Sequence, residues 1–281
     1  MKKLIVTADD FGAATVVNEA VEKAHVDGVL TAASLMVGAP AVLDAVERAR
    51  RLPKLGVGLH LVLVEGKPIL PPDEIPDLVD RDGLFRRNMV RAGVDIFFRP
   101  SVRRQLVREI NAQFSAFAAT GLKLDHVNAH KHFHLHPTIS SLILAIGRRY
   151  GLKAMRAPVE PINVLSTIEP VTRHLPDYVA MPWAYGIRKR SVHAGLLVPD
   201  QTFGIAWSGH MNPHRMLGLI EHLPEGLSEI YLHPAISDEF EGHAVGYESI
   251  EEWHALTDET VKKAIKDQNI VLGNFSDFLG K

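Results

Sequence analysis

The sequence predicts a single α/β domain over residues 1–281, built as a (β/α) barrel of TIM type that is seven-stranded or irregular. Three observations carry this. Short apolar runs alternate with helical patterns of ten to fifteen residues, the rhythm of βα units around a parallel sheet. The length accommodates roughly seven or eight such units. Polar residues also gather at the C-terminal ends of the apolar runs, where a parallel barrel collects its active site. A doubly wound open sheet is the structural alternative.

Strand-like runs fall at residues 4–8, 32–37, 57–63, 124–129, 154–157, 229–232 and 270–272. Apolar periodicity predicts helices over about 14–25, 41–51 and 137–150. Two segments break the rhythm. Residues 68–87, rich in Pro and Asp, predict a long loop. Residues 160–199 mix Pro, Arg and Trp without a clear period and predict an insertion over the active face.

Composition narrows the chemistry. Apolar residues make up 46% and charged residues 23%, the balance of an ordinary globular chain. A net charge of −2 offers no footprint for nucleic acid. No run approaches the roughly eighteen apolar residues of a membrane span. The apolar run after Lys2-Lys3 stops at two aspartates, too short for a signal peptide, so a cytoplasmic location is expected. There is no cysteine, so any metal must be held by nitrogen and oxygen ligands.

Five strand ends carry chemistry. The first ends in Asp9-Asp10. One aspartate suffices to cap the following helix, and two adjacent like charges call for a cation. One carboxylate then serves a metal and the other a water. Both can reach one site if the backbone turns, and Gly12 is placed to permit that. His60 follows in Gly-Leu-His-Leu. Next comes a run holding His126, His130, His132, His134 and His136. In extended chain, alternate side chains lie about 6.6 Å apart, which puts His130 and His134 about 13 Å apart. They cannot both reach one ion at about 2 Å. His130, nearest the strand end, is the expected ligand; His132 and His134 are expected to line the pocket against substrate. Arg156 ends a further run and is expected to touch substrate. His233, in Tyr-Leu-His-Pro, fits a general acid, because imidazole changes charge near neutral pH.

Thr-Ala-Asp-Asp-Phe-Gly, Gly-Leu-His-Leu, the His-x-His-x-His run and Leu-His-Pro, in this order and spacing, resemble the YdjC-like family of carbohydrate deacetylases. The motifs span residues 7–234. The resemblance implies a barrel fold and a metal-dependent hydrolase that removes an N-acetyl group from an amino sugar. It assigns Asp10, His60 and His130 as ligands of one divalent ion, with zinc expected and magnesium, manganese, cobalt or iron allowed. It makes Asp9 the catalytic base and His233 the acid. The family commonly carries Asp-Ser where this chain has Asn128-Ala129, so no aspartate acts there.

The stretches Val-Pro-Asp200-Gln-Thr-Phe-Gly and Ala-Trp207-Ser-Gly resemble the hopanoid-biosynthesis-associated branch, which implies an acetylglucosaminyl hopanoid as substrate. Trp183, with Pro182, Tyr185 and Ile187, is then expected to supply an apolar wall, and Arg188-Lys189-Arg190 to meet lipid headgroups. Expected partners are an acetylated, lipid-linked amino sugar and transient contact with the inner membrane surface, with room for a homodimer. A chitooligosaccharide-type deacetylase, a two-metal phosphoesterase and a non-catalytic sugar- or metal-binding module are the competing readings.

Overall fold

The computed structural model describes residues 1–171 and 175–280; residues 172–174 of the expected 160–199 insertion lie outside the described residues. Seven strands form one sheet: β1 Lys2–Phe11, β2 Ala32–Leu35, β3 Gly56–Leu61, β4 Val127–Ala129, β5 Gln201–Phe203, β6 Gly226–Leu232 and β7 Val271–Leu272. All their pairings are parallel, as the alternating pattern predicts. The order is β4-β3-β2-β1-β6-β5, with β7 beside the start of β1. β1 is central and almost wholly buried, which explains the apolar residues Leu4, Ile5 and Val6 on both of its faces.

The expected TIM-type barrel is corrected to a curled, open half-barrel. The ladder ends at β4 on one side and β5 on the other. The gap falls at the segment expected to be a strand over 154–157. It pairs with its neighbours through isolated bridges rather than a ladder, Val127 with Met155 and Ala154 with Leu197. Pro158 follows at once and has no N–H to extend a ladder.

Helices cover the outer face: α1 Thr15–Val26, α2 Val42–Arg51, α3 Met89–Phe98, α4 Pro100–Ala119, α5 Pro137–Gly147, α6 Ile162–Leu165, α7 Leu175–His193, α8 Pro213–Glu221, α9 Ser249–Thr257 and α10 Glu259–Asp267. Their starts follow local chemistry. Asn212 caps α8 through the Arg215 N–H, and Asp258 caps α10 through Thr260 and Val261. Pro100, Pro137 and Pro213 occupy first-turn positions, where no N–H is needed. Apolar periodicity predicts only α1, α2 and α5; α3, α4, α6 to α10 and β5 have no counterpart among the elements expected from the sequence. The expected loop at 68–87 is irregular apart from one short turn, Pro72–Glu74, and one antiparallel bridge, Val79 with Phe85. α4 anchors its start: Glu109 accepts the Ile69 and Leu70 N–H groups, and Gln113 brackets Val62.

The inside of the curl is layered. Ile5, Ala32, Ala154 and Leu227 form an apolar floor with Phe275 and Phe278. Above it sit Thr7, Ser34, His126, Arg156 and Glu229, all polar and fully buried. Asp9, His60 and Asn128 come next, toward the strand ends. Strand alternation produces this stacking, since Ile5, Thr7 and Asp9 share one face of β1. Glycine makes room for it: a Cβ on Gly58 would lie 2.5 Å from the His126 ring. Gly58→Ala should therefore destabilise the fold by about 1–3 kcal/mol through overpacking, read as a lowered Tm; an unchanged Tm would show that His126 has another place to go.

Candidate metal centre and active site

Three strand ends meet at one cavity. Asp10 ends the straight part of β1 with φ of 60°. That left-handed turn lets adjacent aspartates serve one site, and Gly12 continues it at φ 96°. Asp10 Oδ1 lies 3.3 Å from His60 Nε2 on β3 and 3.3 Å from His130 Nδ1 just past β4. One ligand atom from each of the three lies within 4.8 Å of the others. Asp10 Oδ1 and His60 Nε2 are buried without a hydrogen-bond partner, each left facing the same point. Two imidazoles and one carboxylate suit a divalent first-row ion, so the residues fit the implied metal.

Charge supports this. Burial pushes the Asp10 carboxyl up, but His130 and His60 outweigh it and hold it well below its ordinary value. Burial opposes charging His60, yet Asp9 and Asp10 raise it above the usual imidazole value. The cluster calls for positive charge.

Asp9 is buried beside it. Arg156 grips its carboxylate at both oxygens, Nη1 to Oδ2 at 2.5 Å and Nη2 to Oδ1 at 3.0 Å. Asn128 Nδ2 donates to Oδ1 at 3.0 Å. Burial pushes Asp9 up, but Arg156 above all holds it far below the usual carboxylate range.

Arg156 does not face the cavity as expected. It is fully buried, and its guanidinium also donates to Glu229 Oε1, from Nε at 3.0 Å and Nη2 at 2.8 Å. Tyr231 stacks its ring 4.4 Å from the guanidinium carbon. Arg156 therefore positions Asp9 rather than lining the pocket.

The histidine run is not extended. After β4 it turns as a 3₁₀ segment, His130–Leu135, with Lys131 and His132 both at φ 52°. The 13 Å spacing therefore does not apply, although the choice of His130 coincides with the metal-capable group. His132 lines the cavity, its Nε2 2.9 Å from the Tyr231 hydroxyl. His134 is fully buried behind it, away from the cavity where a substrate contact was expected. His233 lines the cavity from the end of β6. Its backbone N–H donates to Glu252, whose carboxylate also lies 3.8 Å from the ring Nδ1. Trp183 lies outside this cavity.

The cavity holds about 640 Å³ and is walled on one side by Phe240, His243 and Tyr247. These three, like Glu252 and Glu229, were missed in the sequence. Phe240, His243 and Tyr247 lie in the irregular stretch between β6 and α9, whereas Glu229 and Glu252 stand inside β6 and α9 themselves, and no spacing marks any of the five.

The model of the YdjC-like protein family matches residues 3–267. The chain belongs to this family. It is 32% identical to a carbohydrate deacetylase of Brevibacillus brevis over 98% of this chain and 99% of that protein. A Geobacillus stearothermophilus carbohydrate deacetylase is 30% identical over 98% of this chain and 97% of its own length. A solved Enterococcus faecalis protein, named for cellobiose-phosphate cleavage, superposes with a TM-score of 0.76 at 27% identity, covering 99% of both chains.

Burial, then Arg156, lowers His134 to about 3, and the same causes hold His132 well below its ordinary value. Both stay neutral in the fold. The unfolded chain protonates them near 6.5, so it gains protons first as pH falls, and stability must drop. His134 should contribute about 1.4 kcal/mol per pH unit between about 6.5 and 4.5, and His132 acts in the same sense. The depressed Asp9 and Asp10 lose their contribution only below the ordinary carboxylate range, outside that window. Urea unfolding of metal-stripped protein should show this slope, and His134→Gln should remove about one proton of it. A slope unchanged in that variant would contradict the assignment.

Proposed function

We propose that this chain is a metal-dependent carbohydrate N-deacetylase that hydrolyses the acetamide of an acetylated amino sugar. The observation that carries the reading is Asp10, His60 and His130 converging beside the fixed carboxylate of Asp9 in one cavity. The deacetylase relatives support it along the whole chain. A single metal-capable group among the described residues favours it over a two-metal phosphoesterase.

When bound, a divalent ion supplies Lewis acidity toward a water and an amide carbonyl. The chain's own groups do the rest. Asp9 accepts the proton of the attacking water. Held so low, it is a weak base but always ionised, and Arg156 and Asn128 fix its direction. His233, hydrogen-bonded at its backbone and close to Glu252, protonates the departing amine across the cavity. Such proton-transfer groups are each worth roughly 10²–10⁴ in rate.

Release of acetate from free N-acetylglucosamine, chitobiose-type sugars and an acetylglucosaminyl hopanoid, with and without added metal, tests the reaction. Asp9→Asn should lower kcat by roughly 10²–10⁴ while metal content stays at one per chain. Asp10→Ala should lose the metal with the activity. Full activity and metal content in Asp10→Ala would overturn the assignment.

The substrate we favour is the hopanoid-linked sugar. An open groove of about 430 Å³ adjoins the cavity, and Lys131 and His132 line both. Met89, Val90, Val94, Phe97 and Phe98 of α3 form its apolar wall with Trp183. Such an exposed apolar patch beside a polar site suits a substrate with an apolar body. Val94→Asp and Trp183→Ala should raise KM for the lipid-linked sugar about tenfold or more, the cost of roughly 1.4 kcal/mol of apolar contact. They should leave soluble sugars unaffected; equal losses on both substrates would sink the lipid reading.

A further inference from the structure

Behind the cavity, buried polar groups form a continuous line through the half-barrel. His60 Nδ1 lies 2.7 Å from Asn128 Oδ1. Asn128 Nδ2 donates to Ser34 Oγ at 2.9 Å as well as to Asp9. Ser34 Oγ lies 3.0 Å from His126 Nε2, and His126 Nδ1 lies 3.0 Å from Asp125 Oδ2. Asp125 in turn accepts the backbone N–H groups of Phe275 and Ser276, at 3.3 and 2.8 Å. Ser34, His126, Asn128 and His60 are all essentially buried, so none can exchange its partner for water.

The direction of every bond in the line follows from its ends. Asp125 is a carboxylate taking two backbone N–H groups, so it accepts from His126, whose proton sits on Nδ1. In the neutral imidazole His126 Nε2 is then an acceptor, and Ser34 donates to it. The Ser34 oxygen is left to accept, which demands the NH₂ of Asn128. The Asp9 carboxylate demands the same NH₂ independently. Two anchors at opposite ends thus agree on one amide orientation. Asn128 Oδ1 consequently faces His60, takes the proton of Nδ1, and leaves the Nε2 lone pair directed at Asp10 and His130.

We propose that Asn128, Ser34, His126 and Asp125 are positioning residues: a relay tied to the backbone near the C-terminus that sets the tautomer of His60 and holds Asp9 at the same time. It rests on the assignment of His60 as a metal ligand. Asn128 is the junction, since one amide serves both the ligand and the base. An aspartate there, as the family commonly carries, accepts from His60 equally well but offers no N–H. It also sets a second carboxylate where the Asn128 amide now donates to Asp9 Oδ1, so one of the two takes up a proton unless a cation lies beside them.

Two measurements test this. In long-range ¹H–¹⁵N spectra of the metal-free protein at neutral pH, His126 should carry its proton on Nδ1 alone, assigned by loss of its signals in His126→Gln. A proton on Nε2 overturns the relay. Zinc titration by calorimetry then reads the other end. Asn128→Ala should weaken zinc about 10–100-fold, Ser34→Ala less, and Asn128→Asp should stay close to the native affinity. Native affinity in both alanine variants overturns the proposal; should Asn128→Ala not fold, Ser34→Ala and Asn128→Asp still decide it. Failure of the unaltered protein to bind zinc would strike the metal assignment instead, which the His126 spectrum does not depend on.

Discussion

Arg156 is the charge on which the site is built. A guanidinium with no exposure is costly to bury, and it persists only with its charge balanced and its donors used. Asp9 and Glu229 balance it from two neighbouring strands, and Tyr231 closes over its face. Glu229 is held in turn by the Thr7 hydroxyl at 2.9 Å. Removing one partner of such a group leaves an unpaired buried charge and typically costs about 3–5 kcal/mol. The central strand, its neighbour and the segment across the open side of the curl are therefore held together by one cation. With two carboxylates around Arg156 and a third at Asp10, the local balance is negative, which favours a further cation at the cavity.

The layers follow from that demand. An ordinary half-barrel would fill its interior with branched apolar residues. Here only the floor is apolar, and the two layers above are threaded by hydrogen bonds. Glycines at 56 and 58 leave β3 without side chains where Asp125 and His126 must fit. The polar interior carries orientation rather than gross stability: nearly every donor is matched to an acceptor on a different strand, so a shift of one strand breaks bonds on two others.

Much of this was legible in the residues. Asp10, His60 and His130 stand at the C-terminal ends of apolar runs, and in a parallel sheet those ends gather on one side. The parallel sheet was legible for the same reason. The open side was not, because Ala154–Ala157 is as apolar as a strand and only Pro158 marks where pairing stops. Arg156 read as a pocket residue because a sequence shows a charge at a strand end without showing its partner 73 residues away. α3 and α4 lack the clean stripe of α2, since α3 keeps one face bare and α4 buries Glu109 and Gln113 to hold a loop.

Backbone strain marks the same place as the chemistry. Five described non-glycine residues have positive φ: Asp10, Glu65, Lys131, His132 and Asn269. The first four line the one cavity. Each such residue costs energy that ordinary packing does not require, and it persists where surrounding structure forces it. At Asp10 the turn carries a carboxylate to the metal-capable point while Asp9 stays on the strand. At Lys131 and His132 it folds the histidine run so that His130 stays at the strand end and His132 swings to Tyr231. Lys131 also pairs with Glu65 at 2.6 Å, tying two strained loops to each other across the cavity mouth. Since the strained residues come from three separate segments, no single loop explains them. What they share is the cavity, and the geometry they hold is the convergence of one carboxylate and two imidazoles.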